Sequence, residues 1–536
     1  MDIGNNNKRN AIQQKIGEEK MSWKSEVDEL NKRADLAEQL GGKKGRDYQH
    51  SIGKNTARER IDMLLDTNSF REMGKIAGKG EYDEKGDFIS STPSNAIIGK
   101  GRINQKKVAV SIDDFTIRGG SSEATIAEKW LYIERYALEM KMPLLRLVDS
   151  AGGSVKLLEK MGFTKIPGYP SWPQFQLMGE VPVVGIALGA CAGLGAIKVG
   201  YAHFSVMVKG TSQVFAAGPP VVKAAMAEDL DKEELGGWRI QTRDNGAVDN
   251  AAKDEQDAFD QARQFLSYMP QNVHHLPPRI ETSDTPDRRE EMLLEVIPRN
   301  RRRSYKVRQI LEAVLDKNSI FEIAPKIGPS LVTSLARLNG YVVGVMANDP
   351  NYAGGAMTRA SAMKTEKFID LCDNFHIPIV NFVDVPGVMP GLAAEKTGTI
   401  RSVLKCLAAI EQSQTPWCSI IMKRAFGLAG GMHGRKRGIN LRYAWPSGYW
   451  GSIPLEGGIW AAYRKDIEAS ENPEARLNEL EQYYSKFTSP FRTAEKFSIP
   501  DIIDPRETRP LLCDWIEEAY EVTKSHLGPV AKTMRP

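Results

Sequence analysis

One pattern occurs twice in this chain, and it confines the fold to a doubled α/β architecture. Residues 182–196 read PVVGIALGACAGLGA and residues 416–430 read PWCSIIMKRAFGLAG. Each places a proline before an apolar, strand-like run that closes on a Gly-Leu pair, Gly193-Leu194 and Gly427-Leu428, followed by small residues. Upstream of each, another apolar run ends in Val-Asp and then glycine: RLVDSAGG with Asp149, and NFVDVPG with Asp384. Shifting residues 102–152 by 235 positions onto 337–387 gives thirteen identities, including Arg102, Asn104, Asp114, Gly119, Gly120, Lys129, Pro143, Asp149 and Gly152. Composition alone would give roughly three. LDTNSFRE, from Leu65, likewise matches LDKNSIFE, from Leu315.

At 536 residues the chain is too long for one hydrophobic core, and the repeat divides it into two domains of ordinary size. The expected division is 1–21 disordered, 22–275 first domain, 276–300 linker and 301–536 second domain. The linker LPPRIETSDTPDRREEMLLEVIPRN is rich in proline and charge, and its centre reads as partly exposed. SWKSEVDELNKRADLAEQL, from Ser22, and TARERIDMLLD, from Thr56, read as helices. Alternation over 95–112 reads as strand, and a helix over 123–141 leads through Pro143 into the buried run LLRLVD. Repeated β–α–β order implies parallel sheets with crossover helices. The charged helical segments over 466–536 are expected to pack on the second domain or a neighbouring subunit.

Composition removes several function classes. Net charge is +4 on 72 basic and 68 acidic residues, a balance that does not point to nucleic acid. The five cysteines show no CxxC spacing and read as buried reduced thiols, and no metal-ligand pattern is visible. The polar amino terminus has no apolar signal core, and no uninterrupted run reaches transmembrane length. A cytoplasmic protein is expected.

Chemistry is expected at the two Gly-Leu turns. A small-residue turn after a buried strand lets a planar ligand approach the backbone, and a helix start beyond it leaves N–H groups free for a developing oxyanion. Two copies suggest a reaction with two carbonyl partners. Asp149-Ser150-Ala151-Gly152-Gly153 is either a glycine-lined ligand floor or a strand-end turn; no G-x-S-x-G elbow supports a hydrolase. Gly119-Gly120-Ser121 lacks the spacing of a dinucleotide fingerprint and reads as a turn beside a ligand. His433, in GGMHG, either donates to a ligand oxygen or is structural. The basic run from Arg299 to Arg308 either attracts an anionic ligand or is a solvated helix start. Glu139-Met140-Lys141-Met142 imitates a biotin-attachment sequence, but Lys141 ends a helix and runs into a buried strand instead of crowning a hairpin.

From TARERIDMLLD to about PDIIDP the chain resembles the carboxyltransferase (β) subunits of biotin-dependent acyl-CoA carboxylases of the propionyl-CoA and methylcrotonyl-CoA type. The resemblance rests on TARERIDMLLD, DFTIRGGS, TSQVFAAGP, EELGGW, FLSYMPQN, FVDVPGVMPG, RAFGLAGG and YAWPSG, in order over most of the chain. It implies two tandem crotonase-like domains and an active site where the first domain of one subunit faces the second domain of another. It also implies a homo-hexamer (a trimer of dimers), an acyl-CoA substrate, and biotin carried by a separate biotin carboxylase/carrier subunit. Direction is open: carboxylation, decarboxylation or transcarboxylation; a non-catalytic scaffold is one alternative, and a crotonase-type hydrolase or isomerase, which would need positioned acid–base side chains, is another. By position, Gly193, Leu194 and Gly195 would hold the thioester enolate. Gly427, Leu428 and Ala429 would hold biotin, the last two at its ureido oxygen. Gly119, Gly120, Ser121, Ser150, Ala151, Gly152, Gly153 and Gly431 would line the substrate site. The chain departs from the family pattern where Leu194 and Leu428 replace glycine, Gly431 replaces an aspartate, Pro220 replaces an aspartate in GPP, and Trp238 replaces a small residue.

Overall fold

The computed structural model describes residues 22–121, 126–153, 159, 162–164, 166–434, 438–439 and 441–530, apart from the Glu456 side chain. The segment 1–21, expected to be disordered, lies outside the described residues. The first helix forms over Lys24–Glu38 and the third over Ala57–Leu64. Thr56 and Glu59 start the latter with a capping box, the Glu59 carboxylate accepting from the Thr56 N–H at 2.7 Å. Its buried face is Ala57, Arg60, Ile61 and Leu64. That is the i, i+3, i+4, i+7 stripe of a packed helix, with an arginine in one apolar slot.

Strand β1 (Arg71–Met73) is followed by a separate ribbon of β2 (Gly78–Tyr82) and β3 (Phe88–Pro93). The alternating run then folds as antiparallel β4 (Ala96–Ile103) and β5 (Lys106–Asp113). Asn104 and Gln105 join them at φ 48° and 67°, the primed-turn geometry that matches strand twist. β6 (Leu144–Ser150), β7 (Val183–Ala192) and β8 (Phe204–Val208) continue in parallel, and β9 (Gln213–Phe215) and β10 (Asn250–Ala252) complete the sheet. Its order is β1-β4-β5-β6-β7-β8-β10, with β9 also on β7. Every residue of β6 is buried, as expected for a parallel strand covered on both faces.

The second half repeats this plan. It comprises β11 (Phe321–Glu322), β12 (Leu331–Leu338), β13 (Tyr341–Asn348), β14 (Ile379–Val385), β15 (Trp417–Phe426), β16 (Leu441–Ala444), β17 (Tyr449–Gly451) and β18 (Asp501–Ile502). The order is β11-β12-β13-β14-β15-β16-β18, with β17 on β15. Side-chain interactions recur as well as topology. Arg58 pairs with Glu72 at 3.0 Å and Arg308 with Glu322 at 2.7 Å. Asp66 accepts from the amides of Asn104 and Gln105, and Asp316 from those of Asn339 and Gly340. Lys129 and Lys364 are both buried, and burial lowers their pKa values to about 8 and about 7.

The halves share apolar packing. Phe321 of the second half stands edge-on to Phe204 of the first at 5.4 Å and stacks with Tyr268. The segment expected to be a partly exposed linker is pinned to the second half. Arg509, almost fully buried, donates to the carbonyls of Thr285 and Asp284 and pairs with Asp316 at 2.8 Å. Of the carboxy-terminal helices, Thr508–Lys524 packs on the second sheet through Leu512, Trp515 and Ile516.

His203, at the entry to β8, is fully buried with its tautomer set by its neighbours. Nδ1 accepts from the Val183 N–H and Nε2 donates to the Met178 carbonyl, each at 2.9 Å. Burial lowers its pKa from 6.5 to about 3. The folded state therefore favours the neutral ring, and this contribution to stability is complete above pH 6.5 and lost as pH falls toward 3. Melting temperatures measured across that window should fall more steeply for the wild type than for His203→Gln, which keeps a donor and an acceptor but cannot titrate.

Candidate functional site

Each half places a two-residue irregularity beside its strand-end aspartate. Between β6 and β7 the pairing offset grows from 39 (Val148↔Ala187) to 41 (Ser150↔Cys191). Between β14 and β15 it grows from 38 (Val383↔Ile421) to 40 (Val385↔Ala425). Beyond each bulge the strand ends on a glycine of positive φ, Gly193 at 55° and Gly427 at 59°, and a short helix begins. No side chain caps either helix. The amides of Leu194 and Gly195, and of Leu428 and Ala429, lie in first turns, where the helix itself offers no acceptor.

One expected donor is already engaged. The Gly193 N–H donates to the Phe215 carbonyl at 3.2 Å, which leaves Leu194 and Gly195 as the available pair. Gly193 sets the turn through its φ. Leu194 is half-buried, whereas Leu428 is 46 % exposed, so the second turn presents an apolar wall to the surface.

The glycine loops named from the sequence converge on the first turn. The Ala151 N–H donates to the Gly119 carbonyl at 2.9 Å, and Ser121 Oγ donates to the Gly152 carbonyl. Gly152 lies against Ala192, and a Cβ on Gly195 would lie 3.3 Å from that of Ser150. Gly153 is exposed beyond them. In the second half, Gly355 lies against the Asp384 carbonyl as Gly120 lies against that of Asp149. The two loop glycines of the first half should differ in their tolerance. A Cβ on Gly120 would sit 2.1 Å from the Asp149 carbonyl oxygen, whereas on Gly119 its nearest neighbour is a methyl at 3.3 Å. Both have φ near 61°. Gly119→Ala should therefore show mainly backbone strain, about 1–2 kcal/mol in denaturant unfolding, and Gly120→Ala at least about 3 kcal/mol.

Asp149 and Asp384 are held by cations at the strand ends beside these loops. Asp149 is fully buried, 2.6 Å from Lys54 Nζ and 3.0 Å from Arg60, and Arg60 in turn pairs with Glu255 at 2.6 Å. Burial holds the Lys54 pKa below its ordinary value in spite of Asp149. Asp384 accepts from Arg424 Nε at 2.6 Å and from the Tyr305 hydroxyl at 3.0 Å. Burial and the adjacent Asp384 push the Tyr305 pKa well up. Arg424 also donates to the Gly354 carbonyl at 2.8 Å, tying the second glycine loop to the strand end. The sequence reading missed the roles of Lys54, Arg60 and Glu255; the available signal was the arginine on the apolar face of Ala57–Leu64.

The remaining candidates fall as follows. His433 is buried, accepts through its carbonyl from Ser419 Oγ, and lines a cavity of about 250 Å³ with Gly427 and Gly431. Arg308 of the basic run is ion-paired, and Arg301 lies over the Tyr449 ring at 4.3 Å. Lys141 follows a helix end at φ 51° and pairs with Glu180 at 3.0 Å. All five cysteines are buried free thiols. Among the described residues no cluster of histidine, cysteine and carboxylate could hold a metal ion, and no helix is long and apolar enough to cross a membrane.

Two crotonase-like halves, each ending a bulged strand in a donor-bearing turn, define the double-domain carboxyltransferase fold. The carboxyl transferase domain model matches residues 48–531, and the chain belongs to that family. The carboxyltransferase subunit of propionyl-CoA carboxylase from Haloferax mediterranei is 34 % identical over 493 residues, covering 91 % of this chain and 95 % of its own. The alpha subunit of methylmalonyl-CoA decarboxylase from Veillonella parvula is 32 % identical, over 88 % of this chain and 91 % of its own. Among solved structures, a transcarboxylase 12S hexamer with methylmalonyl-coenzyme A and methylmalonic acid bound superposes with a TM-score of 0.84 at 29 % identity. It covers 94 % of this chain and 96 % of its own.

Proposed function

We propose that this chain is the carboxyltransferase component of a biotin-dependent acyl-CoA carboxylase, working as a homo-hexamer with a separate subunit that carries biotin carboxylase and biotin. The observation that carries the reading is the duplicated pair of first-turn amides, Leu194–Gly195 and Leu428–Ala429, which have no acceptor among the described residues, each beside an aspartate locked in ion pairs. The first pair is placed to hold the thioester oxygen as it gains enolate charge, and the second to hold a ureido oxygen. Gly119, Gly120, Ser121, Ser150, Ala151, Gly152 and Gly153 form the wall along which the thioester lies. Both groups present planar carbonyls, which glycine- and alanine-lined turns admit to hydrogen-bond range.

Carboxybiotin, when bound, would supply CO₂ and a nitrogen base for the α-proton of the acyl group. Asp149 and Asp384 are committed to cations and do not serve as bases. The chain's contribution is position and two sets of preorganised donors. Such a site favours neither direction, and relatives run it as carboxylase and as decarboxylase; the partner subunit would set the direction here. The test is carboxyl transfer by the chain co-purified with a biotin carboxylase and carrier partner, across acyl-CoAs of graded size. Transfer to none of them, in either direction, would sink the assignment.

A further inference from the structure

A cavity beside the second Gly-Leu turn lies where the first half carries an apolar cluster. It is lined by apolar Ile421, Ala425, Trp450 and Ile499, by Gly427 and Gly431 of the turn, and by His433, Arg442, Thr493 and Ser498. Among the described residues no acidic side chain lines it. Arg442 is half-buried, and its Nε is shielded from solvent with no hydrogen-bond partner among the described residues. A guanidinium nitrogen kept from water and left without an acceptor is costly unless a ligand supplies one.

The repeat shows that this arrangement is not inherited from the fold. Aligning β7 on β15 by 234 positions puts Ser205, which pairs with Gly185, where Arg442 pairs with Ser419. Ser205 Oγ is closed off by Asp249 at 2.9 Å. The same alignment puts Val214, paired with Cys191, where Trp450 pairs with Ala425, and Val199 where His433 stands. In the first half Val199, Val214, Met207 and Val248 fill this region as a closed apolar cluster. In the second half Gly431 replaces Ile197, and the region is open and cationic.

We infer that this cavity receives the far end of the acyl chain, and that Arg442, with His433 beside it, recognises a terminal carboxylate there. The inference rests on the function proposed above and names its substrate class: a thioester whose short acyl chain ends in a carboxylate. The thioester lies at the first turn of one subunit. The chain then passes Gly431 of the facing second half, its methylenes against Ile421 and Trp450, and its carboxylate meets the guanidinium. Arginine suits this role because its planar fork donates two parallel hydrogen bonds to a carboxylate.

The test compares glutaryl-CoA with pentanoyl-CoA, matched in chain length, using the chain reconstituted with its biotin-carrying partner. The wild type should prefer glutaryl-CoA in kcat/KM by at least about 10²-fold, since a site built to bind a charged group rejects the analogue lacking it. Arg442→Met should remove that preference, mainly through KM for glutaryl-CoA, while pentanoyl-CoA kinetics change by less than about threefold. Arg442→Lys should restore part of it. Transfer to pentanoyl-CoA without preference for glutaryl-CoA overturns the inference and leaves the proposed function standing. So does an Arg442→Met effect equal for both thioesters, or confined to KM for the biotin carrier. Transfer to no thioester overturns the function and the inference together.

Discussion

Leu194→Pro should lower kcat for carboxyl transfer by about 10²-fold or more while leaving the protein folded. Leu194 is the first residue of its helix, the position where proline is best tolerated because no intrahelical bond is lost and φ already suits the ring. Gly193 before it carries no Cβ to meet the ring. The substitution thus deletes one N–H and little else. Leu194→Ala, which keeps the N–H, should stay within a few-fold of wild type. The same contrast should hold for Leu428→Pro and Leu428→Ala, with the loss expressed against the biotin carrier. Full activity in a folded Leu194→Pro protein would remove the first turn from the mechanism. Circular dichroism and melting temperature establish that the variants remain folded.

Asp149→Ala should destabilise the first half by about 3–5 kcal/mol. Lys54 and Arg60 converge on this one carboxylate from the entry to Ala57–Leu64, and both are buried. Removing the carboxylate takes the counter-charge from Lys54, which keeps the Phe115 ring at 4.5 Å, and among the described residues leaves Arg60 Glu255 and the Leu188 carbonyl, to which it donates at 3.0 Å. Lys54→Met should be milder, because Asp149 keeps Arg60. Denaturant unfolding of the three proteins checks the order. Equal losses would show that the aspartate acts by packing rather than by charge. Ala151 and Gly152, which follow Asp149, hold the Gly119–Ser121 loop, so activity should fall with stability in Asp149→Ala.

The two effects mark what could be read without coordinates. The turn at Gly193-Leu194 was legible because backbone constraint is local: a strand, a positive-φ glycine and a helix start leave their mark within fifteen residues. Duplication strengthened it, since one half checks the other. The role of Asp149 was not legible. Lys54, Arg60 and Glu255 lie 95, 89 and 106 residues away in sequence, and only the packing of Ala57–Leu64 brings the two cations to the strand end. Gly193 illustrates the same limit on a smaller scale. Its placement in the turn was foreseen, but its N–H is taken by Phe215, whose carbonyl arrives with β9, twenty-two residues on. The segment over 276–300 reads as a partly exposed linker by composition and its centre is exposed; that Arg509, near the far end of the chain, fastens its backbone has no local signal.

By itself, then, the sequence determined the doubled α/β plan, the two Gly-Leu turns and the family, all of which depend on residue order along short stretches of backbone. Only the tertiary structure decided that the Gly193 amide is engaged, that both aspartates are ion-paired, and that the second half holds an open cationic cavity where the first is filled. Those properties depend on strand register and on partners brought from distant segments, and register couples residues that no local pattern connects.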